Sequence, residues 1–197
     1  MASAGKAPAR VTKAAAPIYQ LRIELRDVRP LIWRRVLVPG SIKLHKLHAV
    51  LLWTMGWLGV HLHEFVIGHD HYGEPDPDFD DMPRLQRDDR ITLAGALGAR
   101  KSFTYLYDYG DGWEHRVSVE QILPADPAVK LPRCLEGANA CPPEDVGGPP
   151  GYEDFLAAIR DPAHEEHHAM LTWCGGAFDP AAFDVDVVNE TLKQFKL

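Results

Sequence analysis

The chain has 197 residues, 46% of them hydrophobic and 25% charged, and a net charge of −7. That is enough chain to bury a core as one domain, while its longest apolar run, Ala49 to Val60, is broken by Thr54 and Gly56 and falls short of the roughly 20 residues a bilayer requires. Cys134, Cys141 and Cys174 are odd in number and too few for a disulfide framework, so the expectation is a cytoplasmic protein with free thiols and no membrane contact.

Residues 1–17 are rich in Ala and carry Lys6, Arg10 and Lys13. They lack the apolar block of a secretory signal and read as a disordered basic tail ahead of a single domain over residues 18–197. From Ile18 to Asp27, Tyr19, Leu21, Ile23 and Leu25 alternate with Gln20, Arg22, Glu24 and Arg26, the period of a half-buried strand. Past Arg29-Pro30 a second strand runs from Leu31 to Val38, with Ile32, Arg34, Val36 and Val38 on one face and Trp33, Arg35 and Leu37 on the other. Ser41 is placed to cap a helix whose apolar positions Leu44, Leu47, Leu51 and Met55 recur at helical spacing, and Gly56 to end it. His45 and His48 flank that stripe as helix-surface residues. His61 to Ile67 returns to strand character, and His69 to Asp81, with Pro75 and Pro77, reads as a solvated acidic loop.

A short helix over Leu93 to Leu97, capped by Thr92, precedes a β-hairpin. Phe103, Tyr105, Tyr107 and Tyr109 alternate on the way out, Gly110-Asp111-Gly112 turns the chain, and Trp113, His115, Val117 and Val119 alternate on the return. Beyond Pro124 the chain is irregular through Pro150, and helices are expected over Tyr152 to Ile159, Pro162 to Trp173 and Asp186 to Gln194. The implied fold class is α+β, a mixed, largely antiparallel sheet of about five strands packed against several helices.

The charge is unevenly distributed. Residues 1–50 hold ten Lys or Arg against two acids, a net of +8, which leaves −15 on the remainder. Such a split marks either an electropositive face for nucleic acid, with Arg22, Arg26, Arg34 and Arg35 as candidate contacts, or two ends that attract each other within the fold.

Six motifs recur in order: IWRRV at Ile32 to Val36, LHKLHAVLLWTMGW at Leu44 to Trp57, HLHEF at His61 to Phe65, YDYGDGWEH at Tyr107 to His115, CPPEDVGGPPGY at Cys141 to Tyr152, and WCGGAFDP at Trp173 to Pro180. Together they resemble the plasmid pRiA4b ORF-3-like family, whose members are also labelled insertion-element passenger TnpR-like proteins. The resemblance spans roughly residues 18–190 and implies an association with plasmids and mobile elements. It brings no agreed activity, and the nucleophilic Ser with supporting Arg side chains that a serine recombinase needs has no matching motif around Ser102 or Ser118. Val146 stands where many members carry Cys, which leaves this chain short of a ligand if those cysteines hold a metal.

Asp108, Asp111 and His115 of the hairpin, with Glu144 and Asp145 of the proline-rich loop, form the candidate catalytic set. Carboxylates beside an imidazole hold a divalent metal or move protons, although the same residues are ordinary turn formers and His115 shares a face with Val117 and Val119, as a core residue does. The hairpin and the loop are expected to meet in space, and their acids then need a compensating charge, a metal or a basic side chain such as Arg116 or Arg133. His61 and His63 are further candidate metal ligands on one strand face. So are His164 and His168, which with Glu165 spell H-E-x-x-H, but this run starts two residues after Pro162, in a first helical turn rich in acids. A cysteine zinc site lacks its C-x-x-C-like pair. Two functions follow: a non-catalytic binding or accessory module of plasmid or mobile-element biology that contacts nucleic acid, for which no cofactor is indicated with certainty, or alternatively a metal-dependent hydrolase with a divalent ion in the cleft between hairpin and loop.

Overall fold

The computed structural model describes residues 16–75 and 85–196. Residues 1–15 of the expected tail and 76–81 of the expected acidic loop lie outside the described residues. Strands β1 (Ile18–Leu25), β2 (Trp33–Pro39), β3 (His63–Ile67), β4 (Asp70–Gly73), β5 (Gln86–Arg87), β6 (Ser102–Tyr107), β7 (Trp113–Leu123) and β8 (Arg133–Ala138) form one sheet in the order β5-β4-β3-β6-β7-β1-β2-β8. Among the described residues, only the β4–β5 pairing is parallel. The fold is therefore α+β with a largely antiparallel sheet, as the alternation indicates. That alternation supplies β1, β2, β3, β6 and β7, and the three further strands exceed the expectation. β4, β5 and β8 lie at the two ends of the sheet; β5 has only two residues, and β8 fully buries only Cys134, so neither carries a period-two apolar signal.

The helices are α1 (Leu44–Met55), α2 (Leu93–Leu97), α3 (Gly148–Arg160), α4 (His167–Trp173) and α5 (Val185–Leu192). Leu44, Leu47, Leu51 and Met55 of α1 are buried in one core with Leu21, Ile23, Val36, Phe65, Tyr105 and Trp113. Each such side chain contributes on the order of 1.5–3 kcal/mol by leaving water. Ser41 does not cap α1. The N-cap is Lys43 and the Leu44 amide is satisfied by the Ile91 carbonyl, so the strand-like approach to α2 does the work of a side-chain cap. Gly56 ends the helix at φ 109° and Thr92 caps α2 by accepting from the Gly95 amide, both as expected.

The segment before α4 is a series of turns rather than helix. Asp161 accepts from the Ala163 amide and the His164 ring accepts from the Glu166 amide, so the helix begins at His167. His164 and His168 therefore do not share a helical face, and Glu165 lies outside the helix.

Candidate metal centre

Three segments meet beyond the end of β6: the link from α1 to β3, the β6–β7 turn, and the Pro142–Gly147 loop that leads into α3. Sheet register begins the convergence. His63 pairs with Tyr107, and the Asp108 amide donates to the Leu62 carbonyl at 2.9 Å, so residues just before β3 lie beside the hairpin turn. The loop is then pinned to both. The Trp57 indole donates to the Pro142 carbonyl at 3.0 Å, the Leu58 amide donates to Glu144 at 2.8 Å, and the Gly147 amide donates to Asp111 Oδ2 at 3.1 Å. Gly148 has φ +70°, and a Cβ there would collide with the Asp111 carbonyl. Only glycine allows this approach at no steric cost.

Asp108 is buried and adopts φ 58°, a left-handed conformation that Asp tolerates. Its Oδ1 accepts from the Gly110 and Asp111 amides at 2.9 and 3.3 Å, which shapes the turn, and its Oδ2 faces His61. His61 Nε2 is buried and makes no hydrogen bond, yet it stands 3.1 Å from Asp145 Oδ1, 3.5 Å from Asp108 Oδ2 and 3.9 Å from Glu144 Oε2. One donor atom each from His61, Asp108 and Asp145 lies within 4.8 Å of the others. A lone pair on a neutral imidazole pointed at oxygen lone pairs is repulsive, and a divalent cation between them turns the same arrangement attractive. The nitrogen and carboxylate donors suit a first-row divalent ion, and the group could coordinate one.

Glu144 is held from behind. Tyr107 donates its hydroxyl to Glu144 at 3.1 Å and accepts from the Val60 amide at 3.2 Å. Burial, then the Glu144 charge, pushes the Tyr107 pKa up to about 12, so the hydroxyl keeps its proton and remains a donor. Asp145 is the exposed member of the set, and an adjacent cavity of about 330 Å³ is lined by Asp145, Val146, Asp154, Phe155, Met170 and Trp173.

The candidate catalytic residues thus divide. Asp108, Glu144 and Asp145 come together with His61, and the expected basic partner is not there: among the described residues neither Arg116 nor Arg133 pairs with these acids. Asp111 instead ties the loop to the turn. His115 is fully buried beneath Trp57, with its Nδ1 3.2 Å from the Tyr105 carbonyl, and burial lowers its pKa to about 4; it is a neutral core residue away from the cleft.

His61 and His63 part company despite their spacing. His63 Nε2 is 2.9 Å from Asp88 and the ring stacks at 3.6 Å on His48. His48 is not a helix-surface residue: it bonds the Tyr105 hydroxyl at 2.7 Å, and burial, then the neighbouring His63, lowers its pKa to about 3.

The arginine set is distributed differently from an electropositive patch. Arg34 is only 2% exposed and donates to the Thr54, Trp33, Ala138 and Asn139 carbonyls, so it adds nothing to a basic patch on the strand surface. Arg22 pairs with Glu24, Arg26 with Glu114, and Arg35 with Glu120 and Glu136. Arg22 and Arg35 also pack on the Trp33 ring at 4.1 and 5.3 Å, so Trp33 faces away from the α1 core.

Residues 17–187 match the family described as plasmid pRiA4b ORF-3-like protein. The chain belongs to this family. The uncharacterized protein y4hQ of Sinorhizobium fredii (strain NBRC 101917 / NGR234) is 44% identical over 181 residues, which cover 90% of this chain and 91% of the relative. The crystal structure of a protein of unknown function, MM3350 from Methanosarcina mazei Go1, superposes with a TM-score of 0.80 at 33% identity, covering 89% of this chain and 98% of that one. The pRiA4b ORF-3-like assignment places the chain among plasmid and mobile-element proteins. No helix among the described residues is long and apolar enough to cross a membrane.

Sequence reasoning had marked every acid of the centre and had marked His61, but had not joined them, and it missed Tyr107 as the residue that holds Glu144. The usable signal was register: once HLHEF and YDYGD are paired as neighbouring antiparallel strands, His61 falls beside the turn acids.

Proposed function

We propose that the chain is a divalent-metal-dependent hydrolase, with the ion held by His61, Asp108 and Asp145 and with Glu144 poised to accept a proton. The observation that carries this reading is His61 Nε2, a buried ring nitrogen without a hydrogen bond that faces three carboxylates from two distant segments. A divalent ion there would polarise a substrate carbonyl or phosphoryl oxygen and ease deprotonation of water. The chain's own residues supply the rest. Tyr107 and the Leu58 amide fix one edge of Glu144 and leave its Oε2 toward the centre. The cavity beside Asp145 provides room for substrate, within the usual span of roughly 300–1,000 Å³ for small-molecule sites.

Metal analysis of purified protein, followed by thermal unfolding with added Mn²⁺ or Zn²⁺, tests the site. At a hundredfold excess over Kd, binding should stabilise the fold by about 2.7 kcal/mol, roughly 5–10 °C in Tm for a domain of this size. Asp145→Asn should abolish that gain while leaving the metal-free stability within about 0.5 kcal/mol of the parent. Metal-loaded protein should hydrolyse at least one of a phosphoester, carboxylic ester and amide panel, and Glu144→Gln should remove that activity. Absence of both metal uptake and a Tm response sinks the proposal, and uptake without hydrolysis of any panel member overturns its catalytic half.

A further inference from the structure

A second, open cavity of about 770 Å³ is lined by Arg34, Glu144, Phe178, Phe183, Asp184 and Val187 among others. Arg34 is the one cationic residue among the described residues lining it. The guanidinium is taken out of water, which is unfavourable for an unpaired ion, and its pKa is lowered chiefly by that burial. Among the described residues no carboxylate pairs with it. Its neighbours are the carbonyls of Thr54, Trp33, Ala138 and Asn139, at 2.8–2.9 Å, and the face of Phe183, 4.4 Å from the guanidinium carbon. Those carbonyls engage every N–H of the group except one on Nη2. Gly137 makes the arrangement possible, because a Cβ there would stand 2.7 Å from Phe183 and 2.8 Å from the Arg34 side chain.

A buried cation without an ion-pair partner, lining a cavity with aromatic and aliphatic walls, is complementary to one kind of ligand. We infer that this cavity binds a small organic monocarboxylate with an aromatic or aliphatic body, Arg34 receiving the carboxylate and Phe178, Phe183 and Val187 the apolar part. Asp184, also on the wall, is engaged by the Asp186 and Val187 amides, and together with Glu144 it disfavours polyanions such as phosphate esters, because a second negative charge would face these acids without a partner. The single uncommitted N–H on Nη2 likewise suits one carboxylate oxygen rather than the several donors a phosphate takes. This inference does not rest on the metal reading, with which it shares only Glu144.

The test uses the full chain in the presence of a chelator, with phenylacetate and its neutral isostere phenylacetamide as probes in an NMR titration. Phenylacetate should saturate with shifts at Val187 and Thr191, and phenylacetamide should bind at least about tenfold more weakly, as expected when a hydrogen bond to a charged group becomes a neutral one. Val187 is 63% exposed on the first turn of α5, so Val187→Glu keeps the fold and sets a competing carboxylate at the rim; it should weaken phenylacetate about tenfold or more with Tm unchanged. Asp145→Asn should leave phenylacetate binding intact, which separates this cavity from the metal centre. Equal binding of the two probes, an unaffected Val187→Glu, or no saturation with phenylacetate overturns the inference.

Discussion

Two charged regions of this protein are built on opposite principles. On the outer face of β1 and β2, and just past the end of β1, the arginines are matched: Arg22 by Glu24, Arg35 by Glu120 and Glu136, and Arg26 by Glu114. At the β6–β7 turn the balance is broken. Asp108, Glu144 and Asp145 crowd around one imidazole, and no Lys or Arg among the described residues joins them. The first region needs nothing from outside, because its Coulomb energy is settled within the fold. The second retains repulsion between carboxylates that only protonation or a cation relieves. Charge imbalance at a rigidly held position is therefore the better guide to function here than charge density, which the arginine face has in greater amount.

The largest expected effect comes from breaking the junction that enforces the imbalance. Gly148→Ala places a side chain at φ +70° against the Asp111 carbonyl. The left-handed backbone costs about 1–2 kcal/mol and the overlap about 1–3 kcal/mol more, so chemical denaturation should show a loss of roughly 2–5 kcal/mol, the sum of those ranges, together with loss of the metal-induced Tm gain. A loss under about 1 kcal/mol, below the strain range alone, would mean the loop can leave the turn without penalty and that the centre is not rigid.

Acidification sharpens the comparison, because it separates collapse of the fold from titration of the centre. His48 and His115 have folded pKa values lowered from 6.5 to about 3 and about 4. The unfolded chain takes up protons at these positions first, so stability is fully present above about pH 6.5 and declines as pH falls below it. Each histidine contributes a slope on the order of 1 kcal/mol per pH unit until its folded value is reached. Unfolding curves between pH 7 and 4 should show this decline in Asp145→Asn as well as in the parent, since neither histidine belongs to the centre. A decline that Asp145→Asn abolishes would reassign it to the centre.

What was readable in the sequence follows from how local each signal is. Tyr19 to Leu25 and Phe103 to Val119 announce their strands because a buried face every second residue is a property of the segment itself. β8 was not readable, since Arg133–Ala138 buries only Cys134 fully and owes its pairing to β2. The H-E-x-x-H string misleads for the same reason in reverse: it has the right spacing for a helix that the turns after Asp161 never form. For the centre, Asp108 and Asp145 were visible as turn acids, but the role of His61 depends on the His63–Tyr107 register, a relation between segments forty-odd residues apart in the sequence. Arg34 and Arg35 show the limit most sharply. They are adjacent and alternate faces as strands require, yet which face was core and which solvent was set by α1 and α5, not by the dipeptide.

The smallest effect concerns that arginine face and the nucleic-acid reading. Arg35 donates from Nε and Nη2 to both oxygens of Glu120, at 2.6 and 2.9 Å, and from Nη1 to Glu136. These are partly exposed pairs, worth about 0.2–1 kcal/mol apiece and weakened by salt. The double variant Glu120→Gln, Glu136→Gln should therefore lose at most about 1–2 kcal/mol, the sum of two such pairs, while freeing Arg35 beside Arg22 on the Trp33 ring. If internal pairing is what neutralises this face, the parent should pass through a DNA column at low salt and the double variant should be retained, eluting steeply with salt as phosphate contacts release counterions. Retention of the parent with an equally steep salt response would show that phosphate outcompetes the glutamates, and the two charged regions would then differ in strength of pairing rather than in kind.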